Sequence, residues 1–181
     1  MKTFLYLAAV SMLALNASNA NAAQATGTAK AEILTAGQIQ ATKELDFGRI
    51  LNTEQQIVTV DVNGSRTSTK EALLVGSAAS AGQFLVQGTN DTNVTIDVPR
   101  TITLTNTKSS SSKLTVNNVT FKLGTIEGSG GTTKTGKFSG TAVATGSTEA
   151  QETMYVGGQL EVPAGQTGGS YSGTYTVTLT Y

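Results

Sequence analysis

The sequence predicts an all-β protein, an antiparallel β-sandwich of about eight to ten short strands. Beyond its first 22 residues, the chain is rich in Thr, Val, Gly, Ser and Asn, which favour strands and turns over helices. Apolar residues recur at alternate positions in short runs, and Gly, Asn and Ser clusters separate these runs. Because successive side chains of a strand point to opposite faces, the runs indicate strands with one buried face.

Alternating or densely apolar runs predict the strands of the first half of the chain. In order, these strands are expected at residues 24–33, 56–62, 71–75, 83–88 and 93–98. Asn63-Gly64 follows the second run and favours a tight turn. Pro99 ends the fifth run, because proline has no N–H to give to a sheet.

The second half predicts four more strands, at residues 102–104, 114–123, 154–162 and 174–181. Apolar residues occupy even positions up to Val116 and odd positions from Val119, which predicts a bulge or turn at Asn117-Asn118. Gly157-Gly158 is expected to interrupt the third of these strands. The Gly- and Thr-rich residues 125–136 are expected to form a loop.

The last strand has the most regular pattern in the chain. From residue 174, every even position is Thr, and the odd positions are apolar or aromatic: Tyr175, Val177, Leu179 and Tyr181. This pattern predicts a strand with one hydroxyl face and one apolar face. Among exported bacterial proteins, such an ending is typical of pilus subunits and of outer-membrane barrels.

The N-terminus predicts export. A short basic start at Met1-Lys2 precedes an apolar run, residues 4–15, that is too short to span a bilayer. Ala20-Asn21-Ala22 then supplies small residues at the positions that a signal peptidase reads. We therefore expect a signal peptide at residues 1–22, an extension or first strand at 23–36, and a sandwich domain at 37–181. The expected location is the periplasm and then the cell surface or medium of a Gram-negative bacterium.

Composition excludes several functions. The chain has no Cys and no His, which removes the thiol nucleophile, the His general base and most transition-metal sites. Without Lys2, 11 basic residues face 12 acidic ones, a balance that argues against binding nucleic acid. Glu44 and Asp46 are the most suggestive carboxylate pair, but their neighbours Lys43 and Arg49 favour an ordinary charged surface. We expect no enzyme, no catalytic residue, no metal and no small-molecule cofactor.

Five motifs resemble a family of exported bacterial β-domains that is known only as a domain of unknown function. They are LDFGRI at 45–50, FLVQG at 84–88, VTIDVP at 94–99, VGGQLEV at 156–162 and GSYSGTYTVTLTY at 169–181. That family is in turn similar to fimbrial (pilus) subunits of the chaperone–usher route. The resemblance implies an immunoglobulin-like sandwich and a structural role at the cell surface.

The resemblance also implies a mechanism of assembly. Pilus subunits of this type lack one strand, and a periplasmic chaperone fills the resulting groove until the N-terminal extension of the next subunit replaces it. The implied partners are other pilin-like subunits or copies of this chain, with a periplasmic chaperone and an outer-membrane usher. The implied donor residues are Ala25, Gly27, Ala29, Ala31 and Ile33. The implied residues of the groove are Tyr175, Val177, Leu179 and Tyr181.

Three alternatives stay open. Residues 24–36 are equally compatible with the first strand of a complete sandwich. A small outer-membrane β-barrel is a second alternative, although its strands would need about ten residues and two aromatic girdles, and the runs here are shorter and broken by Gly. A secreted carbohydrate-binding module is the third.

Overall fold

The structure is a computed structural model that describes residues 37–76 and 78–181. The predicted signal peptide and the predicted donor residues therefore lie outside the described part of the chain. The expected all-β class is confirmed, since the described residues form antiparallel sheets and a single 3-10 turn, Glu71–Leu73. Within these same residues, no helix has the length and hydropathy needed to cross a membrane.

The described residues contain fifteen strands, four of which are only two residues long. In chain order they are β1 (Gln38–Lys43), β2 (Arg49–Ile50), β3 (Gln56–Val60), β4 (Arg66–Ser68), β5 (Leu74–Val75), β6 (Gly82–Thr89), β7 (Asn93–Asp97), β8 (Ile102–Asn106), β9 (Lys113–Leu123), β10 (Ile126–Ser129), β11 (Lys134–Lys137), β12 (Thr141–Ala142), β13 (Glu149–Val162), β14 (Tyr171–Ser172) and β15 (Thr178–Thr180).

The strands form a sandwich-like arrangement of a large sheet and a small one. The large sheet runs in the order β1-β6-β13-β9-β8-β14, with β10 paired to β9 and β12 to β13. Its longest strand, β13, pairs with β6 up to Val156 and with β3 from Gly158 onward, and β3 in turn pairs with β4. The small sheet has the order β11-β7-β15, and β2 pairs with β5 separately.

Apolar side chains of both sheets form one core. Its largest fully buried apolar members are Phe121, Phe138, Ile96 and Met154, and valines supply much of the rest. Burying each such side chain is worth about 1.5–3 kcal/mol. A chain without disulfides depends on this term for its stability.

The predicted bulge at Asn117-Asn118 is confirmed. Asn118 has a positive φ of 46°, and the register between β9 and β13 shifts between Gly157 and Gln159. Leu114 and Val116 are buried before the bulge, and Val119 is buried after it. The extra residue thus keeps apolar side chains facing the core on both sides of the change in phase.

The expected loop at residues 125–136 is wrong in most of its length. β10 folds back on β9, and β11 begins within the same stretch and pairs with β7, so the segment connects the two sheets. Its glycines supply space for large neighbours. A Cβ added at Gly128 would lie 2.6 Å from the Phe121 ring, and one at Gly136 would lie 2.8 Å from Ile126.

The expected interruption at Gly157-Gly158 is also wrong, because β13 continues through both residues. Both glycines are buried between neighbouring strands. A Cβ at Gly157 would lie 2.5 Å from the carbonyl oxygen of Val60, and one at Gly158 would lie 2.6 Å from Val116 Cγ1. Gly157 and Gly158 therefore let the neighbouring segments at Val60 and Val116 pack closely against β13.

We predict that Gly157→Ala lowers the free energy of unfolding by about 1–3 kcal/mol, because the new methyl group overlaps a backbone oxygen that cannot rotate away. Gly168→Ala is the matched control, since its Cβ would meet no atom within 4 Å. That control should change stability by less than about 0.5 kcal/mol. Urea denaturation of both variants measures the difference, and equal midpoints would contradict the prediction.

Candidate functional site

The C-terminal segment crosses from the large sheet to the small one. β14 pairs with β8, through Tyr171 opposite Asn106, whereas β15 pairs with β7, through Leu179 opposite Ile96. The predicted strand over 174–181 is therefore too long, because only Thr178–Thr180 lies in a ladder. A segment that changes sheets cannot hold one continuous set of strand hydrogen bonds.

The predicted two faces of this segment are confirmed. Val177 is buried, Tyr175 and Leu179 are half-buried, and Tyr181 is 40% exposed. The threonines at 174, 176, 178 and 180 are all exposed. The structure thus brings the four predicted groove residues onto one face, but it contains no partner strand that tests their role.

Two tyrosine rings of this face lie over glycines of β6. A Cβ at Gly82 would be 2.3 Å from the Tyr175 hydroxyl, and a Cβ at Gly88 would be 2.2 Å from the Tyr181 hydroxyl. Tyr175 also meets Phe84 edge-to-face, with ring centroids 5.7 Å apart. Gly82 and Gly88 are six residues apart, as are Tyr175 and Tyr181, and six residues of extended chain span about 20 Å. The C-terminal segment therefore runs parallel to β6.

Burial extends to higher pH the range over which these phenols stay protonated. It raises the pKa of Tyr175 to about 12 and raises the pKa of Tyr181 as well. The Tyr181 hydroxyl donates a hydrogen bond of 2.9 Å to the carbonyl oxygen of Gln87, next to Gly88. The face is therefore apolar and uncharged at neutral pH.

The outer edge of β15 pairs with no strand among the residues that the structure describes. Proteins commonly protect exposed sheet edges with charges, prolines, bulges or very short strands. Residues 173–181 contain no charged residue and no proline. This edge thus offers backbone N–H and C=O groups without a charge or a proline, and its only protection of the usual kind is its length of three residues.

The other sheet ends differ from β15 in this respect. β1 has a register irregularity between Ala41 and Lys43, and β11 carries both Lys134 and Lys137. β4 begins with Arg66, and β14 is only two residues long. Of these five edges, that of β15 is the one that combines an uncharged strand without proline or register irregularity with a length above two residues, which favours pairing with an added strand.

The structure gives one member of the Glu44 and Asp46 pair, Asp46, a structural role. An Asp46 carboxylate oxygen accepts a hydrogen bond of 2.7 Å from the backbone N–H of Gly48, whose φ is +72°. Asp46 also forms a β-bridge with Ser80. This carboxylate therefore holds a turn. Across residues 37–76 and 78–181, no group of three or more acidic residues could hold a metal ion.

Sequence reasoning missed the glycines that receive the tyrosines. Gly82 and Gly88 have the same spacing as Tyr175 and Tyr181, but 93 residues separate the members of each pair. Gly82 and Gly88 lack positive φ values, so neither marks a turn. The equal spacing is the one signal in the sequence, and it has meaning only once the two segments are known to lie side by side.

Fold and edge together define an all-β, sandwich-like domain with a short, uncharged edge strand, β15. The family model described as a domain of unknown function, DUF4402, matches residues 38–181. The chain belongs to this family, whose match begins at the first residue of β1. A comparison with curated proteins found no significant match.

We predict that Tyr175 titrates with a pKa of about 12, well above that of a free phenol. Because the fold favours the neutral phenol, its contribution to stability is complete below the unfolded pKa of about 10 and is lost as the pH rises toward 12. The ultraviolet absorbance of phenolate follows this titration. Tyr175→Phe should remove the part of the titration that occurs near pH 12. An unchanged titration curve for that variant would contradict the assignment.

Proposed function

We propose that this chain is a non-catalytic structural protein of the bacterial surface that associates by strand addition at the outer edge of β15, like a fimbrial subunit. The observation that carries the proposal is the edge itself. It is uncharged, contains no proline and has no partner among the described strands. Strand addition to such an edge gains main-chain hydrogen bonds, and side chains on one face supply the specificity.

The sequence pattern of residues 24–33 supports their proposed role as the added strand. The alternate positions proposed to enter the acceptor site are small up to residue 31 and end in a larger residue: Ala25, Gly27, Ala29, Ala31 and Ile33. The C-terminal segment presents large residues, Tyr175, Leu179 and Tyr181, on its apolar face. Small residues on one strand beside large residues on the next pack without voids or overlap.

The proposed partner is therefore another copy of this chain or a related pilin-like subunit. Export, a periplasmic chaperone and an outer-membrane usher complete the proposal. They rest on the pattern of residues 1–22 and on the expected similarity between the family that the motifs resemble and pilus subunits. A small-residue donor buries less apolar surface than a large one, at roughly 25 cal/mol per Å², so we expect each junction to be of modest strength.

We predict that Ala29→Asp abolishes the association of purified chains, because it places a carboxylate on the face that enters the acceptor site. Thr28→Asp puts the same charge on the opposite face and should leave association intact. Sedimentation velocity at several protein concentrations compares the two variants. Equal loss in both would contradict the two-faced donor, and a wild-type chain that stays monomeric would overturn the proposed function.

We also predict that Thr178→Lys weakens association, since a lysine on an edge strand disfavours a further strand. Thr178 is exposed, so the fold should tolerate the change. Thr115→Lys is the matched control, because Thr115 is also an exposed strand threonine but lies on β9, between β8 and β13. Equal weakening by the two lysines would show that charge alone, rather than the β15 edge, controls association.

A further inference from the structure

Tyr181 contacts two glycines that lie far apart in the sequence. One is Gly88 in β6, and the other is Gly37, which directly precedes β1. A Cβ at Gly37 would lie 1.6 Å from Tyr181 Cε2, so the ring occupies the space that any other side chain would need. Gly37 has no positive φ, and the missing side chain is therefore what this position requires.

The hydrogen bond of Tyr181 reaches the same place. Its acceptor is the carbonyl oxygen of Gln87, and Gln87 is the register partner of Gln38, the first residue of β1. The side chain of Tyr181 thus touches the start of β1 and the end of β6, and its backbone directly follows the last residue of β15. These contacts tie the C-terminal strand to the point where residues 24–36 join the domain.

The directions of β1 and of the C-terminal segment show which chain ends this contact brings together. β1 runs from Gln38 opposite Gln87 to Lys43 opposite Gln83, whereas the C-terminal segment runs from Gly82 toward Gly88. The two are therefore antiparallel, and β1 begins where β15 ends. Gly37, the residue before β1, therefore lies against the ring of Tyr181, the residue after β15.

We propose that Tyr181 is a positioning residue that couples the two ends of the domain. It holds β15 on β6 and, through Gly37, fixes the start of β1. The accepting edge and the base of the donating extension then keep one geometry within each molecule. This use of the coupling rests on the proposed function, whereas the coupling itself rests only on the contacts of Tyr181.

Hydrogen exchange of the full chain, followed by mass spectrometry, tests the coupling. In Tyr181→Ala, amide exchange should rise about tenfold or more in both β1 and β15, because the local opening of both strands loses a shared contact. Tyr181→Phe keeps the ring and loses the hydrogen bond, so its effect should be smaller. A rise confined to β15, or no rise at all, would overturn the proposal.

The reciprocal variant changes the other side of the contact. Gly37→Ala changes no residue of β15, but its methyl group forces the ring of Tyr181 to swing away. We expect faster exchange in β15, and Gly168→Ala, in open space, should cause none. A Gly37→Ala effect limited to β1 would refute the coupling. If wild-type chains fail to associate, the proposed function falls while these exchange results still decide the coupling.

Discussion

The seating of the C-terminal tyrosines on glycines of β6 is the contact on which the arrangement of both chain ends depends. Tyr175 and Tyr181 reach across the sandwich and fill spaces where Gly82 and Gly88 have no side chains. The rings hold the terminal segment against the large sheet while its backbone pairs with the small sheet through β7. Without them, the three-residue ladder of β15 and the core contacts of Val177 and Leu179 would have to hold this segment in the small sheet.

Edge protection separates the candidate site from the rest of the surface. Charges, a register irregularity or a two-residue length discourage pairing at the sheet ends compared above, whereas β15 is protected only by its three-residue length. The β15 edge differs because its side chains are threonines on one face and aromatic or aliphatic groups on the other. Affinity for an added strand there comes from backbone hydrogen bonds. Selectivity must come from the size of the side chains that the incoming strand places beside the apolar face.

Alternation predicted the parts of the fold that depend on neighbouring residues. The all-β class and the bulge at Asn118 follow from period and phase, and the two faces of residues 174–181 do so as well. Alternation failed where distant partners decide the outcome. β10 and β11 form in a Gly-rich stretch, where Gly128 and Gly136 leave room for the side chains of Phe121 and Ile126. The donor candidates at 25–33 lie outside the described residues, so their role stays a prediction.

The long sequence separation of the tyrosine contacts has a kinetic consequence. Each ring reaches a glycine 93 residues away, and Tyr181 reaches Gly37 across 144 residues. Contacts that close such large loops form slowly. We therefore expect the face of β6 that carries Gly82 and Gly88 to stay uncovered until the C-terminal segment docks, and an uncovered apolar face favours aggregation. A molecule that covered this face would raise the yield of native protein without appearing in its final structure.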